Sequence, residues 1–482
     1  MPFTSLDFAI FLGFVLVLNW RLRARLNAYP YFLLAASLAF YALGAFKFLP
    51  LLIVVALANH LTVRLMKRPE GRLGRKLILG LDIAFCLALL AFFKYFEFFL
   101  TTLDSLGLSG PLESLFKLPE IVYPVGLSFF TFQGLSLAID HYREPDRQLP
   151  SFRDTLLFVS FFPTVLSGPI QRSESFFAQL RRDEPTDLNL AIVLALSGLF
   201  KKIVLSSYLS EQIVRGVFQV PESYSALGVL SGVYAYSAQI YLDFSGYSDM
   251  AQSVALFLGF NVGRNFDSPY LTSNIRDFWR RWHISLSSWL RDYLYIPLGG
   301  SKRGSKFVNL LVTQTLGGLW HGAHLRYLVW GLGHGLALGL THLSMDRRLK
   351  KIKARQAAGL TDDRPPKPKY DQLKKWACFF LTFNFVSFMW ILFRADSFGR
   401  AMDIVALSFD WSRAGQGAPL LGWMIVFLTL AGQALGNGLK KRMMDVQARM
   451  SVPVLSLWCA FWVIMIIKMG PDGVLPFIYF QY

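Results

Sequence analysis

The chain has 482 residues, of which 54% are hydrophobic and only 17% charged, and its mean hydropathy is +0.41. That is more apolar surface than a soluble fold of this size can hide, so the composition excludes an ordinary soluble protein or a disordered one and describes a polytopic membrane protein. The formal net charge of +18 does not make it a nucleic-acid binder. Its basic residues fall in short segments between apolar runs, where the positive-inside rule already accounts for them.

Taken in chain order, apolar runs of membrane-crossing character recur at about Leu6 to Trp20, Tyr29 to Phe46, Leu49 to Leu65 and Leu77 to Phe93, then Ile121 to Ile139, Ala191 to Leu209, Leu227 to Phe244 and Ala251 to Phe260. Five more follow at Phe307 to Trp320, Tyr327 to Leu343, Trp376 to Phe393, Leu420 to Leu435 and Val452 to Met469. A span needs on the order of 20 apolar residues, so some of these are half-spans, and the expected fold is all-α with roughly 11 to 14 membrane-embedded helices. The first run has no basic segment ahead of it and no small-residue cleavage site before "RLRAR", and it reads as a retained anchor.

The basic segments at Arg21 to Arg25, Lys67 to Lys76, Met345 to Arg355 and Lys440 to Arg442 are placed in the cytoplasm. Counting back from the last of these, the final span exits and leaves Pro471 to Tyr482 on the outer face. The stretch "SFRDTLLFVSFFPTVLSGPIQR" at Ser151 to Arg172 keeps this parity only if it enters and returns on one side, so it is expected to be re-entrant. Met345 to Lys375, rich in Lys, Arg and Pro, is the one convincing linker. It divides a membrane core (residues 1–344) from C-terminal helices (376–470) and an aromatic tail (471–482). Cys86, Cys378 and Cys459 are lone residues in apolar runs and form no motif, which points to packing.

Between Asn261 and Phe307 the hydrophobic pattern fails. The segment is too apolar for a water-exposed loop and too charged to face lipid, and such segments occur where they line a protein cavity. Trp279, Trp282, Trp289, Tyr293 and Tyr295 interleave with Arg276, Arg280, Arg281 and Arg291. Two readings stand: amphipathic helices at the membrane interface, or cations that meet a phosphorylated ligand from the cytoplasm.

Of the seven histidines, His283 sits in this segment and His321 at the far end of an apolar run that starts from the basic "SKRGSK". An ionisable residue at that depth is a functional candidate, and Gly317, Gly318 and Gly322 are expected to leave room for something to approach the His321 ring. "HGAH" has no carboxylate or thiolate beside it, so no metal is expected. His60, His141, His334 and His342 are read as packing or interface residues.

Three long motifs carry a resemblance: "YLDFSGYSDMAQSVALFLGF", "FWRRWHISLSSWLRDYLYIPLGG" and "GGLWHGA". They are similar to motifs of the membrane-bound O-acyltransferases, in the bacterial branch that includes the alginate O-acetylation protein. The similarity also takes in "FFPTVLSGPIQR" and "WILFRAD" and covers nearly the whole chain. The resemblance implies a multi-helix fold around a tunnel through the bacterial inner membrane, with acetyl-coenzyme A as acyl donor on the cytoplasmic side. It implies that His321 is the catalytic histidine and His283 the second one.

Acyl transfer from a thioester needs a nucleophile, a base and donors for the oxyanion. His321 is expected to act as base, and His283 to orient the thioester or coenzyme A. Arg280, Arg281, Lys302 and Arg303 are candidates for the coenzyme A phosphates. Asp243, Asp249 and Trp320 are expected in the tunnel wall, the two acids holding it by hydrogen bonds. The closing "PFIYFQY" resembles the acyl-relaying tail of a small partner peptide in D-alanyl transfer systems, here fused to the chain. It differs at the last position, where Tyr482 replaces a phenylalanine and becomes a rival nucleophile to Tyr479.

The expected outcome is export of acetyl groups through Tyr479 to a periplasmic serine hydrolase-like (SGNH) partner that modifies an exopolysaccharide such as alginate or cellulose. Peptidoglycan, a teichoic acid (by D-alanyl transfer) or a lipid hydroxyl are alternative acceptors. A transporter or channel is the reading from another class, and it would call for inverted repeats or paired broken helices that the sequence does not show.

Overall fold

A computed structural model describes residues 1–25, 27–67, 72–105, 122–181, 187–358, 368–417 and 419–471. Among them six helices are long and apolar enough to cross a membrane: Tyr29–Leu65, Leu73–Phe96, Leu188–Gln219, Gln372–Arg394, Leu420–Gln447 and Val452–Met469. Helices dominate because a backbone in lipid must satisfy its hydrogen bonds within the segment. The protein is an all-α, multi-pass membrane protein.

The sequence divides Leu227 to Phe244 from Ala251 to Phe260, whereas the structure joins them in one 32-residue helix, Ala226–Phe257. The polar "DFSGYSD" between them holds helical geometry because its serines and acids are buried or half-buried against protein. The basic stretch after Leu343 is also partly helical: Leu325–Ala357 runs through it, and the next helix begins at Pro368.

The chain forms two compact units. The first comprises Met1–Leu199 with Gly246–Arg264. Two of its helices, Leu6–Leu22 and Phe152–Ser160, start where serines cap them, Ser5 Oγ accepting from Phe8 N at 3.2 Å and Ser151 Oγ from Asp154 N at 3.1 Å. Tyr29 Oη lies 2.6 Å from the Leu258 carbonyl and 2.8 Å from Asn19 Oδ1. Ser151 to Arg172 folds as a short helix, Phe152–Ser160, followed by a turn-rich path whose residues from Phe161 to Gln171 are all buried. Non-helical backbone at that position is sheltered by protein, as a membrane requires.

The second unit comprises Phe200–Ser245 and the described residues of Asn265–Leu475. Its centre is the antiparallel pair Lys306–His321 and Leu325–Ala357. Glycine lets these helices touch backbone to backbone: a Cβ on Gly331 would stand 2.6 Å from the Gln314 carbonyl, and one on Gly318 would collide with the Tyr327 carbonyl. A parallel bridge between Tyr224 and Gln416, with Gln416 N donating to Ser223 O at 3.0 Å, ties the connector after Arg394 to the loop at 221–225.

Candidate active site

The polar segment of the second unit is built around Asn265. Helices Ile275–Arg281 and Ile284–Leu290 meet at His283, whose backbone is left-handed at φ 43°. The buried Asn265 stabilises the turn, its carbonyl accepting from Ile284 N at 2.9 Å and its Oδ1 from Ser285 N at 3.1 Å. The His283 side chain is thereby driven inward, 1% exposed, with its ring edge-on to Phe244 at 4.6 Å.

His321 ends the helix Lys306–His321, and Gly322 continues in extended backbone before the next helix begins at Leu325. The imidazole is buried among aromatic rings: Trp320 at 4.8 Å, Phe393 at 4.9 Å and Trp330 at 5.3 Å between centroids. The glycines beside it serve packing. The space at Gly318 is taken by the Tyr327 carbonyl and Gly331, that at Gly322 by the Tyr327 ring, and Leu290 stands 3.2 Å from a Cβ on Gly317.

A cavity of about 430 Å³ is lined by Arg276, Arg280, Arg291, Lys306 and His342, together with Trp279, Tyr295 and several serines. Some of this charge is balanced: Lys306 Nζ sits 3.0 Å from Asp346, Arg291 Nε 2.8 Å from Asp292, and Arg280 3.8 Å from Asp277. The Lys306 hydrogen bond holds the Asp346 carboxyl below its ordinary range. Arg276 forms no ion pair among the described residues and donates instead to the Met345 sulfur at 3.3 Å. The cavity is therefore basic, and suited to an anion.

Aromatic rings connect this cavity to His321. Trp279, in the cavity wall, donates through Nε1 to His334 Nδ1 at 3.3 Å. The His334 ring packs against Trp330 at 4.6 Å, and Trp330 against His321. His342 lines the cavity, and the fully buried His334, read from the sequence as a packing or interface residue, packs between Trp279 of the cavity wall and Trp330.

Of the other sequence candidates, Arg280 lines the cavity, whereas Arg281, Lys302 and Arg303 are not among its lining residues. Asp243 is buried and pairs with Lys202, Nζ to Oδ1 2.5 Å. Asp249 is half-buried and belongs to the first unit. Trp320 is half-buried against His321. Tyr479 and Tyr482 lie outside the described residues. Among the described residues no group of three or more His, Cys, Asp or Glu side chains is placed to hold a metal ion. Sequence reasoning missed Lys202, although a lysine inside the apolar run Ala191 to Leu209 was a visible sign of an intramembrane polar contact.

Comparison with known proteins identifies the family. Residues 127–358 match the model of the membrane-bound O-acyltransferase family. The whole chain aligns with 99% of the probable alginate O-acetylase AlgI of Pseudomonas putida at 33% identity. The peptidoglycan O-acetyltransferase of Helicobacter pylori is 32% identical over 77% of this chain and 72% of its own. The teichoic acid D-alanyltransferase of Streptococcus thermophilus is 28% identical over 56% of this chain and 68% of its own. With the matched segment holding both His283 and His321, and end-to-end likeness to an alginate O-acetylase, the chain belongs to the membrane-bound O-acyltransferase family, in its AlgI-like branch.

Proposed function

We propose that this acyltransferase takes acetyl from acetyl-coenzyme A at the cytoplasmic face of the bacterial inner membrane and passes it outward for O-acetylation of an exopolysaccharide, alginate-like or cellulose. The observation that carries the reading is the basic cavity whose Trp279 wall is joined through His334 and Trp330 to His321. Arg276, Arg280, Arg291 and Lys306 bind the phosphates of coenzyme A, and the thioester reaches toward the imidazole. Charge in the cavity binds the donor, and burial around His321 keeps water from the acyl group.

The acceptor hydroxyl is the phenol of Tyr479, on a C-terminal segment at the outer face. As its oxygen attacks the thioester carbonyl, His321 takes the phenolic proton. The tetrahedral intermediate collapses, the C–S bond breaks, and coenzyme A leaves as the thiol after accepting the proton from His321. His283, buried against Phe244, positions the donor. The acetyl-tyrosine ester then passes to a periplasmic SGNH hydrolase-like partner that acylates the polymer. The full-length likeness to an alginate O-acetylase favours acetyl and a polysaccharide; the shorter matches to peptidoglycan and teichoic acid enzymes favour the second reading, the same chemistry on another envelope polymer.

Incubation with acetyl-coenzyme A and peptide mass spectrometry test this directly. Acetyl-tyrosine at Tyr479 in the native protein, lost in His321→Ala at equal expression, is the expected result. An active enzyme whose Tyr479 peptide stays unmodified rejects the relay.

A further inference from the structure

The indole N–H of Trp330 and the Nε2 of His334 are both buried, and neither has a hydrogen-bond partner among the described residues. The residues that carry them are 1% and 0% exposed, and their rings pack at 4.6 Å. The proton on His334 can be placed. An indole nitrogen only donates, so Nδ1, which faces Trp279 Nε1, must accept, and the ring proton sits on Nε2. Two N–H donors are thus buried on rings that pack against each other, neither with an acceptor among the described residues, a costly arrangement that a protein interior avoids unless something is to fill it.

Both lie between the basic cavity and His321: Trp279 belongs to the cavity wall and to the His334 hydrogen bond, and Trp330 touches both imidazoles. We infer that Trp330 Nε1–H and His334 Nε2–H receive the carbonyl oxygen of the acyl group and stabilise the negative charge that oxygen gains on attack. This rests on the reading of the cavity as the acyl-donor site. When the acceptor oxygen bonds to the carbonyl carbon, the C=O π pair moves to that oxygen; when the C–S bond breaks, the pair returns. The two donors transfer no proton in either step. Trp279 acts through His334, fixing its tautomer, and is a positioning residue.

The test uses the full chain in detergent micelles. In His321→Ala, which holds donor without turning it over, the carbonyl stretch of bound [1-13C]acetyl-coenzyme A is expected at lower wavenumber than in solution, and His321→Ala/His334→Phe loses that shift. In the otherwise native protein, His334→Phe lowers kcat for thiol release about 100-fold with KM within about twofold, as removal of an oxyanion donor does. His334→Gln, whose amide restores an N–H, recovers about tenfold of that loss. Should His334→Phe fail to give a monodisperse protein, Trp330→Phe serves in its place. An identical band in both backgrounds, or a His334→Phe enzyme within about threefold of native turnover, overturns the assignment while the donor site stands. A native protein that neither binds nor cleaves acetyl-coenzyme A overturns the donor site, and the assignment with it.

Discussion

Lys202 and Asp243 form a buried ion pair, Nζ to Oδ1 2.5 Å, with side chains only 5% and 7% exposed. Lys202 stands in a π-helical stretch, Phe200–Ser206, inside a candidate membrane helix. Asp243 precedes Phe244, whose ring meets His283. The pair therefore fixes the register of the helix that supports the second histidine. Breaking one side removes a close ionic partner from a charge buried away from water. Lys202→Met is expected to cost about 3–5 kcal/mol, while Lys202→Met/Asp243→Leu recovers most of it, because two apolar groups replace two charges together. Thermal midpoints followed by size-exclusion chromatography decide this; a double variant no better than the single one would mean the pair is not the reason for the loss.

The basic cavity makes a kinetic prediction. If its cations hold the donor's phosphates equally in ground and transition states, Arg276→Gln raises KM for acetyl-coenzyme A about tenfold or more and leaves kcat near native, since a charge-assisted hydrogen bond is worth at least about 1.5 kcal/mol. Arg276 is the informative choice because no carboxylate among the described residues competes for it. Added salt should raise KM in the native protein more than in the variant.

Acid sensitivity follows from Lys306 and Asp346. The hydrogen-bonded ammonium lowers the Asp346 carboxyl from its ordinary 3.8. A group whose folded value is depressed contributes stability in full above its unfolded value and loses it as pH falls through the folded value. Native protein and Asp346→Asn should therefore differ in thermal midpoint by a constant amount at pH 5 and above, and converge below about pH 4. The surface position of this pair means the difference is small. A gap that widens on acidification would contradict the pairing.

How much of this was legible in the sequence differs by element. The membrane helices announced themselves because a span must be apolar along its length, and the family motifs marked His283 and His321 by number. The continuity of Ala226–Phe257 was not legible: "DFSGYSD" reads as a break, and only the burial of its polar groups explains why it stays helical. The place of His334 was hidden for another reason. It lies thirteen residues past His321 on a different helix, and the glycines that bring the two helices together signal close packing without saying which side chains face each other. Lys302 and Arg303 illustrate the converse, since their charge pointed to phosphate while their backbone follows an exposed turn outside the cavity lining.

His283 allows conformation to be separated from chemistry. Its left-handed backbone costs a residue with a Cβ about 1–2 kcal/mol, which the two hydrogen bonds that Asn265 accepts from Ile284 N and Ser285 N, and burial of the ring, offset. Asparagine tolerates this geometry better than other residues with side chains, because its short polar group makes local hydrogen bonds. His283→Asn should keep the fold, with a thermal midpoint close to native, but it removes the imidazole that faces Phe244. His283→Val, β-branched and forced into the same turn, should be markedly less stable. If the imidazole positions the donor, His283→Asn loses acyl transfer by about 100-fold despite its native stability. Transfer retained in His283→Asn but lost in His283→Val would instead mean that this position contributes a turn and not a reacting group's support.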